Sequence, residues 1–133
     1  MAVAPLNKVR EVVEYGVSEI SPDKIYMGMP NYAYDWVLPF IRGESKATTI
    51  GNVDAVLIAD NEGAQIRFDE TAMSPWFTYQ RNGVTHEVWF EDVRSILAKA
   101  ELAVFYGLKG LGYWNLMKPF RANWMLLDQL RNT

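Results

Sequence analysis

Lys24-Ile25-Tyr26-Met27-Gly28-Met29-Pro30-Asn31-Tyr32-Ala33-Tyr34-Asp35-Trp36 is the stretch that decides the fold. Its first half is a short apolar run closed by a proline, the pattern of a buried strand. Its second half is dense in rings, with Tyr32, Tyr34 and Trp36 leading on to Phe40 and Asp35 set among them. Upstream, Leu6, Val9, Val13, Gly16, Val17 and Ile20 recur at spacings of three and four, which predicts an amphipathic helix over 6–20. Ser21-Pro22-Asp23 ends it. The chain therefore opens as helix, turn, buried strand, and is expected to begin in the middle of an α/β repeat.

Downstream the pattern changes. Gly43 to Thr49 is polar and loop-like, and Asn52 to Asp60 reads as a helix with Val53, Val56 and Leu57 on one side. After the Asn61-Glu62-Gly63 turn, Ala64 to Asp69 alternates like a strand. Trp76 to Gln80 and Val84 to Phe90 flank Asn82-Gly83, the dipeptide that most strongly signals a hairpin. The helical period returns after Asp92, a candidate N-cap. Val93, Ile96, Leu97, Ala100, Val104 and Phe105 form the expected inner face, and Gly107 the stop. Gly110 to Leu116 reads as a second short buried strand, and Asn123 to Leu130 as a last helix. Without the segment in the middle, the order is α-β-α-β-α. Two parallel strands with exposed edges need neighbours, so partner strands are expected from elsewhere.

Composition narrows the function. The 133 residues are 50% hydrophobic and 22% charged, with a net charge of −3, which suits an ordered domain and gives no electrostatic reason for nucleic acid or an anionic membrane as partner. No apolar run approaches the roughly 20 residues of a membrane span, and Met1 to Pro5 is followed at once by charged residues, unlike a signal peptide. There is no cysteine, and His86 is the sole histidine, so neither a thiolate site nor a multi-histidine metal site is available; no metal or cofactor is expected. Five Trp, seven Tyr and six Phe leave two readings, extra core or interface on one hand and sugar-stacking faces on the other.

Three stretches occur in order: Lys24 to Trp36; Glu87-Val88-Trp89-Phe90-Glu91-Asp92-Val93-Arg94-Ser95-Ile96 with Lys99; and Gly107-Leu108-Lys109-Gly110-Leu111-Gly112-Tyr113-Trp114-Asn115-Leu116 with Pro119-Phe120 and Asn123-Trp124. Together they resemble glycoside hydrolase family 18, the chitinase-like enzymes, and most of all its spore-germination and cortex-lytic branch, where Tyr-Asp-Trp after the proline is typical. The resemblance covers about Leu6 to Leu130.

It implies an α/β fold made of the last two β/α units of a (β/α)8 TIM barrel carrying an α+β chitinase insertion domain. Residues 1–36 and 92–133 would supply helix six through helix eight of the barrel, and 37–91 the insertion. Sites of such barrels lie at the carboxyl ends of the strands, here Pro30 to Trp36 and Tyr113 to Asn115. The resemblance makes Trp114 the tryptophan on which the sugar sits and Tyr32 a cleft-lining tyrosine. Tyr34 stands where many chitinases carry arginine. Asp35 matches the spore-type pattern and is a candidate ligand for a sugar hydroxyl, with a loop or cap role as the blander reading. Asn115-Leu116-Met117 replaces the acidic residues that often follow the tryptophan in chitinases, which weakens a chitin assignment and suits the spore branch with its N-acetylated peptidoglycan; spore-cortex peptidoglycan and chitin both stay open.

The family's Asp-x-x-Asp-x-Asp-x-Glu signature, whose glutamate is the general acid, has no counterpart in this sequence. Glu91 and Asp92 are adjacent acids, but a helix start explains them through capping and the helix dipole. Lys99 is expected to be solvated or paired, and His86 to be a partly buried surface residue. The resulting expectation is the carboxyl-terminal part of a glycosidase for N-acetylglucosamine-containing polymers, inactive alone, of a bacterial cell-wall, spore or extracellular setting. Its partners would be the glycan and either the missing amino-terminal half of the barrel or a second copy. The alternative is a stand-alone glycan-binding or self-association module.

Overall fold

The computed structural model describes residues 1–133. Its elements are α1 (Leu6–Glu19), a 3-10 turn at Pro22–Lys24, β1 (Tyr26–Pro30), β2 (Ala33–Val37), β3 (Thr48–Ile50), α2 (Asn52–Asn61), β4 (Arg67–Asp69), β5 (Ser74–Arg81), β6 (Val84–Trp89), α3 (Val93–Phe105), β7 (Gly110–Trp114) and α4 (Arg121–Arg131). They form two sheets: β1 and β7 pair in parallel, and the other strands make a five-stranded sheet in the order β3-β2-β6-β5-β4.

The parallel pair runs in register from Tyr26 opposite Gly110 to Pro30 opposite Trp114. Because side chains alternate across a strand, its two faces differ sharply. Met27, Met29, Leu111 and Tyr113 turn toward the helices and join Val13, Ile96, Leu102, Ala103 and Leu126 in one apolar core. Tyr26, Gly28, Gly112 and Trp114 lie on the other face and are exposed. At Gly110 a Cβ would sit 3.0 Å from the Tyr26 ring, a tight contact across the ladder. The expectation that Gly110 to Leu116 is a buried strand is corrected: the strand ends at Trp114 and none of its residues is buried. The cause is topological, because no helix covers this face and no strand pairs with its outer edge.

The five-stranded sheet packs α2 on one face. Ala33, Phe77, Tyr79, Val88 and Phe90 meet Ala55 and Ala59, whose small side chains let the helix lie close. Val53, Val56 and Leu57 face outward instead, each about half exposed. The hairpin forms where the sequence placed it: Asn82 and Gly83 both have positive φ, at 54° and 75°, the two-residue turn that matches strand twist. Ala33–Val37 is a strand of this sheet, paired with both β3 and β6. The five-stranded sheet therefore takes in residues from Ala33, ahead of the 36/37 division expected from the sequence; Ala33 and Asp35 lie on its α2 side and Tyr34 and Trp36 on the other.

α3 connects the two sheets. Asp92 caps it, accepting from the Arg94 and Ser95 amides at 2.9 and 3.1 Å. Its buried stripe is Ser95, Ile96, Lys99, Ala100, Leu102 and Ala103. Val104 and Phe105, expected on the inner face, are 81% and 75% exposed. They lie beyond the stripe on the turn that closes at Gly107, where φ is +65°.

Candidate functional site

The carboxyl ends of β1 and β7 meet at the expected place. Trp114, the last residue of β7, presents its ring to solvent at 71% exposure. It lines an open cleft of about 240 Å³ with Gly28, Met29, Pro30, Tyr32 and the chain segment at Val3 and Ala4. Five of these residues are apolar, so the cleft combines a free indole face with a phenol and little charge. Burial raises the Tyr32 hydroxyl's pKa, so Tyr32 stays a neutral hydrogen-bonding group in the physiological range. A flat apolar ring beside a hydroxyl suits a pyranose, which has apolar C–H faces and a polar rim.

From Tyr32 the aromatic surface continues along β2. Tyr32 meets Tyr34, Tyr34 meets Trp36, and Trp36 meets Phe40, all edge to face with centroids 5.6, 5.6 and 5.4 Å apart. The Trp36 indole donates to the Met1 carbonyl at 2.9 Å. Across the sheet, one row stands in register: Arg67 opposite Trp76, Trp76 opposite Trp89, and Trp89 opposite Tyr34. Trp76 stacks on Trp89 at 5.6 Å and carries the Arg67 guanidinium at 5.5 Å. Lying between these two neighbours, Trp76 serves packing.

Asp35 departs from both sequence readings. It is neither in a loop nor a cap but in the middle of β2, on the α2 side of the sheet and so away from Tyr34. Its Oδ2 accepts the Tyr79 hydroxyl at 2.6 Å, and its Oδ1 lies 2.8 Å from His86 Nδ1. The His86 ring also stacks on Tyr79 at 4.7 Å. Burial, and then the bond to Asp35, push the Tyr79 hydroxyl up to about 12. So the structure brings Trp114 and Tyr32 together, attaches Tyr34 behind Tyr32, and sets Asp35 apart in a network of its own. Sequence reasoning missed that network. The signal was available only through register, which places His86 opposite both Tyr79 and Val37.

Glu91 also needs correction. It does not assist the helix start but turns inward, 1% exposed, to meet Lys99 at 3.0 Å. Asp92 does the capping, and its own amide donates to the Ser95 hydroxyl at 2.9 Å. Lys99 is paired, as one of its two readings had it, and wholly buried rather than solvated.

The glycosyl hydrolases family 18 model matches residues 3–118. The chain is 45% identical over 128 residues to the cortical fragment-lytic enzyme of Bacillus cereus, covering 96% of this chain and 30% of that protein. It is 30% identical over 115 residues to the di-N-acetylchitobiase of Rattus norvegicus, covering 72% of this chain and 31% of that protein. Among solved structures, the spore cortex-lytic enzyme SleL of Bacillus megaterium superposes with a TM-score of 0.91 at 44% identity, over 96% of this chain and 30% of the other. The chitinase of Chromobacterium violaceum superposes at 0.88 with 29% identity, over 100% of this chain and 41% of the other. The chain thus spans about 30% of the length of the cortical fragment-lytic enzymes that it matches. Its fold is that of the last two β/α units of the family barrel, with an α+β insertion between the strand and the helix of the first unit.

Proposed function

The chain belongs to glycosyl hydrolase family 18, and from that premise we propose that it forms the carboxyl-terminal wall of a cleft that holds an N-acetylglucosamine-containing polymer, spore-cortex peptidoglycan before chitin. One observation carries the reading. Trp114 is 71% exposed at the end of a parallel strand and shares its cleft with Tyr32. An exposed tryptophan at that position contributes nothing to the core, and carboxyl strand ends are where barrels of this kind hold substrate.

In this reading the apolar face of one sugar ring lies on Trp114. Roughly 70 Å² of covered apolar area at ~25 cal/mol per Å² stabilises the contact by about 2 kcal/mol. Tyr32 supplies a hydroxyl to the sugar rim, and Tyr34 holds Tyr32 from behind at 5.6 Å. Asp35 supports the sheet rather than the sugar. Hydrolysis needs a carboxylic acid held protonated beside the glycosidic oxygen. The Asp-x-x-Asp-x-Asp-x-Glu spacing that supplies it in the family does not occur in these residues. We therefore assign sugar binding to this chain and proton transfer to a partner segment. The five-stranded unit takes the part of the insertion domain.

An amide and indole NMR titration with a short N-acetylglucosamine oligomer tests this. Shifts confined to the Trp114 indole and the Tyr32 region are expected, and Trp114→Ala removes them. A dispersed spectrum in which neither residue moves overturns sugar binding by this chain. The reading of a self-association module draws on a different observation, the unpaired outer edges of both β1 and β7.

A further inference from the structure

We propose that Asn31 is the positioning residue that holds Trp114 in its sugar-facing orientation, by clamping the turn after β7 from the end of β1. This rests on the reading of Trp114 as a sugar contact. The need for a clamp follows from exposure. A ring that is 71% exposed has little packing of its own, so its direction is set by the backbone that carries it. That backbone leaves the strand at once: β7 ends at Trp114, and Asn115 Oδ1 accepts the Met117 amide at 3.0 Å.

Asn31 reaches this turn three times. Its backbone N–H donates to the Trp114 carbonyl at 2.8 Å. Its side-chain Nδ2 donates to the Asn115 carbonyl at 3.1 Å and to the Lys118 carbonyl at 2.8 Å. The residue is 1% exposed, so water does not compete for these bonds. Both side-chain partners are acceptors, and only an amide head offers two hydrogens at this length. A carboxylate of the same shape would set its oxygens against two carbonyls, and leucine would fill the space with no donor.

The test labels the five tryptophan indoles of this chain with 15N and compares Asn31→Leu and Asn31→Asp with the native protein. In either variant the Trp114 indole signal is expected to split or broaden, while the Trp36, Trp76, Trp89 and Trp124 indoles hold their positions. A structural role without positioning would move stability and leave the Trp114 indole alone. An unchanged Trp114 signal in a folded variant overturns the proposal. Should neither variant fold, hydrogen exchange of the Asn31 side-chain amide in the native chain decides. Exchange at least tenfold slower than at exposed Asn132 supports the clamp, and equal rates overturn it. Failure of the sugar titration with a native Trp114 signal that depends on Asn31 would sink the sugar reading and leave the clamp standing.

Discussion

Glu91 and Lys99 face each other with Lys99 Nζ 3.0 Å from one carboxylate oxygen and 3.2 Å from the other, and neither side chain reaches solvent. The Glu91 backbone N–H is held in turn by Asn52 Oδ1 at 2.8 Å. The pair thus ties the first residue of α2, which packs on the five-stranded sheet, to α3, which packs on the parallel strands. Burial pushes the Glu91 carboxyl up, and the Lys99 ammonium opposes it.

Removing one partner of this pair leaves a buried charge with nothing to meet it. Lys99→Met is expected to destabilise the fold by about 3–5 kcal/mol in urea denaturation. Replacing both, as Lys99→Met with Glu91→Leu, is expected to recover most of that loss, because two apolar groups have no desolvation penalty. If the two single losses simply add in the double variant, the side chains are not coupled and the pair is not what joins the two units.

Alkaline stability reports on two other buried groups. Burial pushes the Tyr113 hydroxyl up to about 12, and burial with the Asp35 bond does the same for Tyr79. A tyrosine in an unfolded chain ionises near ~10. The folded state therefore keeps protons that the unfolded state releases. The resulting stabilisation is complete below about pH 10 and disappears as pH rises toward 12. A phenolate absorbance titration should show two late ionisations that coincide with loss of the fold. Asp35→Asn is expected to bring the Tyr79 ionisation forward, since the negative partner is gone; an unmoved Tyr79 would mean that Asp35 does not act on it.

What was legible in the sequence follows the range of the interactions. α1 and α3 are legible from local periodicity, and the turn at Asn82-Gly83 from two residues that tolerate positive φ. Trp114 and Tyr32 came from motif resemblance, and the structure sets both on one cleft. Asp35 was misjudged because its partners, Tyr79 and His86, lie on other strands and are joined to it only by register. Glu91 was misjudged because an acid before a helix looks like a cap, and only tertiary packing turns it inward. Asn31 gave no signal, since its bonds run to carbonyls more than eighty residues away.

Backbone geometry separates glycines that look alike in sequence. Gly83 holds φ +75° in the hairpin, a conformation that costs an L residue roughly 1–2 kcal/mol. Gly83→Ala is expected to lower the denaturation midpoint accordingly. Gly112 has no left-handed φ and nothing within 4 Å of a Cβ built on it. Gly112→Ala is expected to be neutral or slightly stabilising through the unfolded chain's lost freedom. Equal losses at both positions would contradict the turn assignment.

The parallel pair bears on association. β1 and β7 share one ladder, and the outer edge of each is unpaired. Beside them Tyr26 is 63% exposed and Trp114 71%, on a face that no helix covers. Two strands with open edges and an apolar face are a template for further pairing. Sedimentation of the chain is expected to show concentration-dependent oligomers. Gly28→Lys places a charge on the bare face, where a Cβ built on Gly28 meets no atom within 4 Å. It is expected to shift the distribution toward monomer without loss of helical signal, as lysine does at natural sheet edges. A native chain that stays monomeric at every concentration would mean that the bare face is tolerated in water. The self-association reading would then fall, leaving the glycan and the rest of a glycosidase as the candidates for what this face meets.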